Sequence, residues 1–244
     1  MPDHKKDIIK QLQKDILSLQ GFKQLPADLT FQIGLGPVEL AFPNACFPLA
    51  AIHEFLCEGP EFAAATSGFI GCLVSALMKP GGVGVWISTC RTLFPPALKN
   101  FGIDPHKIVF IDLRQQKDLL WVMEEALKCP GIAAVVCEMA ELSFTASRRL
   151  QLAVEQSRVT GFIIRNQPRF LTVNACVAGW KIAPLPTLLE DDLPGIGFPR
   201  WKVELFKIRN GKPGTWEIEW SQGQFQHIYP WVIAAPEEQK RKAG

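Results

Sequence analysis

The chain has 244 residues, 48% of them hydrophobic and 20% charged, with a net charge of +2; that is enough for one sizeable core plus an appendage, too apolar for disorder, and too weakly charged to announce a nucleic-acid binder by itself. Seven cysteines, an odd number with no Cys-x-x-Cys pair, fit neither a disulfide framework nor a zinc site and read as reduced, mostly buried thiols. The polar N-terminus lacks a signal-peptide core and no apolar run approaches the ~20 residues needed to span a bilayer, so a cytoplasmic protein without a membrane partner is expected.

Residues 5–20 predict an amphipathic helix, with Ile8, Ile9, Leu12, Ile16, Leu17 and Leu19 at helical spacing and lysines opposite. Gly21 and Pro26 end it, which delimits an N-terminal element over 1–28 that docks either on its own domain or on a partner. The Gly- and Pro-rich segment 33–50 reads as an ordered approach loop. Short apolar strands and helices then alternate: strand 51–56, helix 66–78, strand 83–87, helix 95–101, strand 107–112, helix 117–128, strand 132–136, helix 145–158 and strand 161–164. Such alternation signals an α/β domain, here 29–234, with a mostly parallel sheet and helices on both faces. After residue 174 the pattern changes. Strand 175–183 and a Pro-rich acidic loop holding Glu190-Asp191-Asp192 lead to Trp201–Leu205, and Thr215–Trp220 returns after Asn210-Gly211. Asn-Gly between alternating strands is a hairpin signal, because both positions tolerate positive φ. Residues 235–244 read as a frayed, charged tail.

The segment 55–67, Phe-Leu-Cys-Glu-Gly-Pro-Glu-Phe-Ala-Ala-Ala-Thr-Ser, sits between a predicted strand and a predicted helix, the setting of a phosphate-cradling P-loop. A working P-loop needs a lysine for the β and γ phosphates and a hydroxyl for magnesium. No lysine or arginine occurs from Phe55 to Met78.

This order of elements resembles the RecA-type recombinase core, and more closely the RecA-like ImuA family of bacterial mutagenesis accessory proteins, from about Gly36 to Trp220. Gly36-Pro37-Val38-Glu39-Leu40 through Ile52-His53-Glu54-Phe55 is similar to the family's lead into its first strand, and Gly59-Pro60-Glu61 is similar to the start of the RecA P-loop. In that register Ala64 stands for the glycine before the lysine, Ala65 for the lysine itself and Thr66 for the hydroxyl residue. Trp86-Ile87-Ser88-Thr89-Cys90 through Phe101-Gly102-Ile103-Asp104 matches the second strand and helix, with Cys90 at the water-activating glutamate. The strand Ala134-Val135-Val136-Cys137 ends where a magnesium-associated aspartate belongs, and Glu138, one residue on, is expected on the opposite face. Ile164-Arg165-Asn166-Gln167-Pro168-Arg169 resembles the strand whose glutamine senses the γ-phosphate. The connections after it and after Glu138 are too short for the two DNA-binding loops.

The resemblance therefore implies a RecA-like P-loop NTPase-type core with a C-terminal antiparallel hairpin and a degenerate nucleotide site at Gly59, Pro60, Glu61, Thr66 and Ser67. It implies no catalytic residue and no cofactor, ATP and magnesium included. It also implies a non-catalytic component of SOS-type translesion synthesis, whose partners are an ImuB-type inactive Y-family polymerase, a C-family DNA polymerase subunit and RecA, with DNA reached indirectly.

Several residues admit two readings. Thr66 and Ser67 either cap the following helix or bind a phosphate through backbone amides. Glu138 and Glu141 either face solvent and cap, or hold a metal. Arg165, Arg169, Arg200, Lys202, Lys207, Arg209 and Lys212, with Trp201 and Trp216, form either a nucleic-acid surface or a soluble hairpin over core tryptophans. Beside the accessory protein stand a divergent ATPase with weak nucleotide binding and a DNA-binding repair module. Neither Gly-x-Ser-x-Gly nor His-Glu-x-x-His occurs, so hydrolase chemistry finds no support.

Overall fold

The computed structural model describes residues 33–170, 172–187 and 197–228. The expected helix at 5–20, the Glu190-Asp191-Asp192 loop and the tail at 235–244 lie outside the described residues.

Strand β1 (Ile52–Cys57) is buried at every position, His53 and Glu54 included, as a central strand covered on both faces must be. It is followed by α1 (Pro60–Met78), β2 (Val83–Ser88), β3 (Ile108–Asp112), α2 (Gln116–Lys128), β4 (Ile132–Glu138), α3 (Phe144–Ser157) and β5 (Thr160–Asn166). Four further strands complete the chain: β6 (Ala178–Leu185), β7 (Arg200–Ile208), β8 (Gly214–Ser221) and β9 (Gln224–His227). All nine strands join one sheet in the order β3-β2-β4-β5-β1-β6-β7-β8-β9. From β3 to β6 neighbours run parallel; from β6 onward they run antiparallel. The fold is α/β, with a mostly parallel sheet extended by an antiparallel C-terminal meander.

Side-chain alternation gives the sheet two different faces. Ile52, Val85, Ile87, Val135, Cys137 and Ile163 meet Leu119, Met123 and Leu127 of α2 and Leu150 and Val154 of α3 in an aliphatic core. The other face is aromatic and packs on α1. Trp180 is fully buried there, stacked on Phe55 with ring centroids 5.8 Å apart, while Phe69 of α1 meets Trp201 edge-on at 5.7 Å. Gly68 permits this approach, since a Cβ there would meet the Phe101 ring at 2.9 Å. His53 belongs to the same cluster, stacked on Phe47 at 4.4 Å. Its Nε2 lies 2.8 Å from the Pro48 carbonyl and its Nδ1 takes the Trp180 indole N–H at 3.4 Å. A carbonyl only accepts, so the proton sits on Nε2 and the ring is neutral, and burial lowers its pKa to about 4.

Six expectations change. The helix placed at 66–78 starts at Pro60, because proline suits the first helical position and three alanines follow. At 19 residues α1 is also long and apolar enough to cross a membrane, contrary to the estimate of apolar runs above; its packing against the sheet marks it as a core helix. The segment Pro95–Phe101 is a 3-10 helix ended by left-handed Gly102, two prolines having withheld amide donors. The ladder of β6 begins at Ala178, the preceding residues forming an extended lead. Of the Asn-Gly pair only Asn210 is left-handed, with φ 59°; Gly211 is needed because a Cβ would collide with the Ala41 carbonyl. Strand β9 was not anticipated, its four residues being too few to show a period.

Removing the aromatic keystone should be costly. Trp180→Ala is expected to lower unfolding free energy by about 3–5 kcal/mol, read from urea titrations followed by far-UV circular dichroism.

Candidate functional site

In open α/β sheets ligands collect beyond the carboxyl ends of the parallel strands, and the resemblance places its nucleotide residues there. Only Glu58 and Gly59 separate β1 from α1. Gly59 is the extended N-cap, Pro60 the first helical residue and Glu61 lies in the first turn, so the residues of the presumed loop are already helix. Glu61 folds back over Gly59, its carboxylate 3.3 Å from where a Gly59 Cβ would stand. Glu58 takes Lys181 Nζ at 2.9 Å. Glu61 thus adds a negative charge to the first turn, at the positive end of the helix dipole, without a capping hydrogen bond. Thr66 and Ser67 lie inside α1 rather than at its cap, which corrects both readings of them. Thr66 is buried and its hydroxyl accepts the Cys57 thiol at 3.3 Å.

At the end of β4 the register sorts two neighbouring side chains. Cys137 points into the α2–α3 core, and Glu138 therefore faces α1. It shares that side with Cys57 and Thr66. Its Oε1 accepts the Trp86 indole N–H at 2.8 Å. Burial raises the Glu138 pKa, with the Trp86 bond pulling the other way. Burial, more than the Glu138 charge, pushes the Cys57 thiol up to about 11. Cys90 is exposed on the connection after β2. Among the described residues no three His, Cys, Asp or Glu side chains come together as a metal site.

The most connected polar group lies on the opposite face. Arg165 of β5 is fully buried and pairs through Nη1 with Glu54 of β1 at 2.8 Å. Its Nε donates to the Ala140 carbonyl at 3.1 Å, and its Nη2 to the Phe170 carbonyl at 3.0 Å and to Glu141 at 3.4 Å. Glu141 also accepts the Arg169 amide. Glu54 Oε2 takes the Asn174 side-chain amide at 2.8 Å, and Lys207 Nζ binds Asn174 O and Oδ1, each at 2.8 Å. The motif search did not find this network, although its signal was present: a lone carboxylate and a lone guanidinium inside apolar strands must be paired.

The candidate nucleic-acid cations are therefore dispersed. Arg165 is interior, which removes it from any phosphate surface. Lys207 and Arg209 are spent on Asn174 and on the Ala175 carbonyl. Arg200 lies 3.8 Å from Glu219 and 4.0 Å from Glu217, and Lys202 stands opposite Glu217 in the β7–β8 ladder. Arg169 and Lys212 are exposed or nearly so but belong to different loops. Trp201 is buried under α1 and cannot stack on a base.

Two curated proteins from strains of Caulobacter vibrioides, each described as Protein ImuA, are 33% identical to this chain over 194 residues, covering 75% of this chain and 80% of theirs. No family model matches.

Two substitutions separate the roles of these buried charges. Arg165→Met should cost about 3–5 kcal/mol by stranding Glu54, and adding Glu54→Gln should recover part of that loss in a double-mutant cycle by urea unfolding. Glu138 holds more protons folded than unfolded, so its ionisation opposes folding as pH rises past the unfolded value. Glu138→Gln keeps the Trp86 bond and should raise the urea midpoint at pH 7, an advantage that shrinks below the ordinary carboxyl pKa of 4.5.

Proposed function

The chain belongs to the ImuA family, and from that premise we propose that it is a cytoplasmic, non-catalytic accessory protein of bacterial damage-induced mutagenesis, working through protein contacts. The observation that carries the non-catalytic part is the junction of β1 and α1. Glu58 and Gly59 alone connect strand to helix, leaving no loop to wrap a phosphate. The segment carries no cation, and Glu61 adds a negative charge to the first helical turn. Glu138 restores one carboxylate to the α1 face, yet it is bound by Trp86 and meets no lysine. A carboxylate alone does not hold a triphosphate.

The dispersal of the basic residues supports an indirect relation to DNA. In the family resemblance the contacts are with an ImuB-type inactive Y-family polymerase, a C-family polymerase subunit and RecA, and we assign these partners to this chain on the same footing.

Deleting the gene should abolish most damage-induced mutation in a bacterium that carries it, scored as resistant colonies after ultraviolet exposure. Thr66→Val should restore mutation as well as the parent chain does. Titration with Mg-ATP should give no heat of binding up to about millimolar nucleotide, where affinity is worth only ~4 kcal/mol. Micromolar binding with turnover, or loss of mutagenesis in Thr66→Val, would establish the divergent ATPase instead.

A further inference from the structure

Three large apolar side chains stand in solvent at one place on the carboxyl edge: Phe144 at 56% exposure, Phe170 at 71% and Val173 at 82%. Two hydrogen bonds bring them together. Thr172 Oγ1 donates to the Leu142 carbonyl at 3.0 Å, and the Ala175 amide donates to Ser147 Oγ at 2.9 Å. The connection after β5 therefore lies along the start of α3, with Val173 beside Phe144. Arg165 fixes it further through the Phe170 carbonyl. Next to this patch, between the start of α2 and the turn into α3, is a cavity of about 300 Å³ lined by Leu119, Leu120, Met139, Leu142 and Ala146, with Lys117 and Glu141 at its rim.

The charge around this apolar surface is positive. Arg148 follows Phe144 by one helical turn, Arg169 precedes Phe170, Lys117 lines the cavity from the α2 side, and Arg114 lies three residues before it. All four are exposed, and among the described residues none has an acidic partner. Two of the nearby acids are committed, Glu141 to Arg165 and the Arg169 amide and Glu124 to Arg149 and Lys128; Asp118, beside Lys117, is the remaining acid at this edge and leaves the balance positive.

We propose that this face docks an acidic segment of a partner protein, whose large apolar anchor enters the cavity while its carboxylates meet Arg148, Arg169, Arg114 and Lys117. Apolar contact at the centre with opposite charge at the rim is the usual division of labour in such interfaces. The aliphatic lining favours a leucine or aromatic side chain over a stacked base, which needs an aromatic platform. The proposal rests on the accessory reading above and names the surface and chemistry it uses.

The test uses the full chain against two libraries of short displayed peptides, each with a central Phe, Leu or Trp. One library flanks the anchor with Asp and Glu, the other with Lys and Arg. The acidic library should be enriched and the basic one not. Val173→Glu, at the most exposed position, should weaken a selected peptide by about tenfold or more; Arg148→Glu should weaken it and flatten its salt dependence. Lys212→Glu, on a separate loop, should change nothing. Equal enrichment of both libraries, or indifference to Val173→Glu and Arg148→Glu, overturns the proposal. So does a single-stranded oligonucleotide that binds in place of the peptides and is lost in the same variants. The accessory role is judged separately, by mutation frequency in the deletion strain, so failed docking leaves that role standing.

Discussion

The buried pair of Glu54 and Arg165 is the constraint on which the middle of this domain depends. Parallel neighbours ordinarily require a crossover helix, and here β5 reaches β6, on the far side of β1, without one. The described residues of that connection pass beside α3, where backbone polar groups cannot all meet water. Side chains satisfy them instead: Arg165 the Phe170 carbonyl, Lys207 the Asn174 carbonyl, Ser147 the Ala175 amide and Arg209 the Ala175 carbonyl. Each of these side chains is charged or, like the accepting Ser147 hydroxyl, buried in the core. A well-packed apolar core would replace the ion pair at similar stability, but it would leave the Phe170 and Ala140 carbonyls without the guanidinium that now meets them. The pair is better understood as what permits a helix-free crossover than as a source of net stability.

On the other face the same economy removes the room for a nucleotide. A phosphate loop works because backbone amides converge on empty space between strand and helix. Here only Glu58 and Gly59 separate β1 from α1, and the helix is already under way at Pro60, helped by the three alanines that follow. Glu61 adds a carboxylate to the first turn, at the positive end of the helix dipole. Thr66 lies inside the helix and its hydroxyl accepts a thiol at the edge of the aromatic core.

The sequence carried the order of strands and helices well, because mostly apolar runs such as Ile52–Cys57 and Ala134–Cys137 have few alternatives to a buried parallel strand. It carried the site less well. The helix start was misplaced because a P-loop template outweighed local propensity, although Pro60 followed by Glu61 is itself a start signal. Glu138 stands on the face opposite Cys137, as alternation requires; that face is the α1 side, because Cys137, matched to the template's aspartate, points into the α2–α3 core. The candidate cations were chosen by composition; a list of arginines does not say that one faces Glu54 from 111 positions away. Non-local pairing is what a single chain hides. An unpaired charge in an apolar strand does announce that some partner must exist.

These features push function outward from the edge where α/β proteins usually keep it. The carboxyl ends of β1 and β5 are closed, on one face by Arg165 and its carbonyls and on the other by α1. The antiparallel meander offers no alternative centre: along β7 and β8 its charges alternate, with Arg200 beside Glu217 and Glu219 and Lys202 opposite Glu217, so no strong field of one sign extends over it. The exposed apolar groups lie where the connections after β4 and β5 come together, and that junction is held rigid by the same guanidinium that fixes the crossover. A surface ordered by a buried network loses little conformational freedom when it is covered. The residue that makes the fold possible therefore also pre-organises the face best suited to a partner.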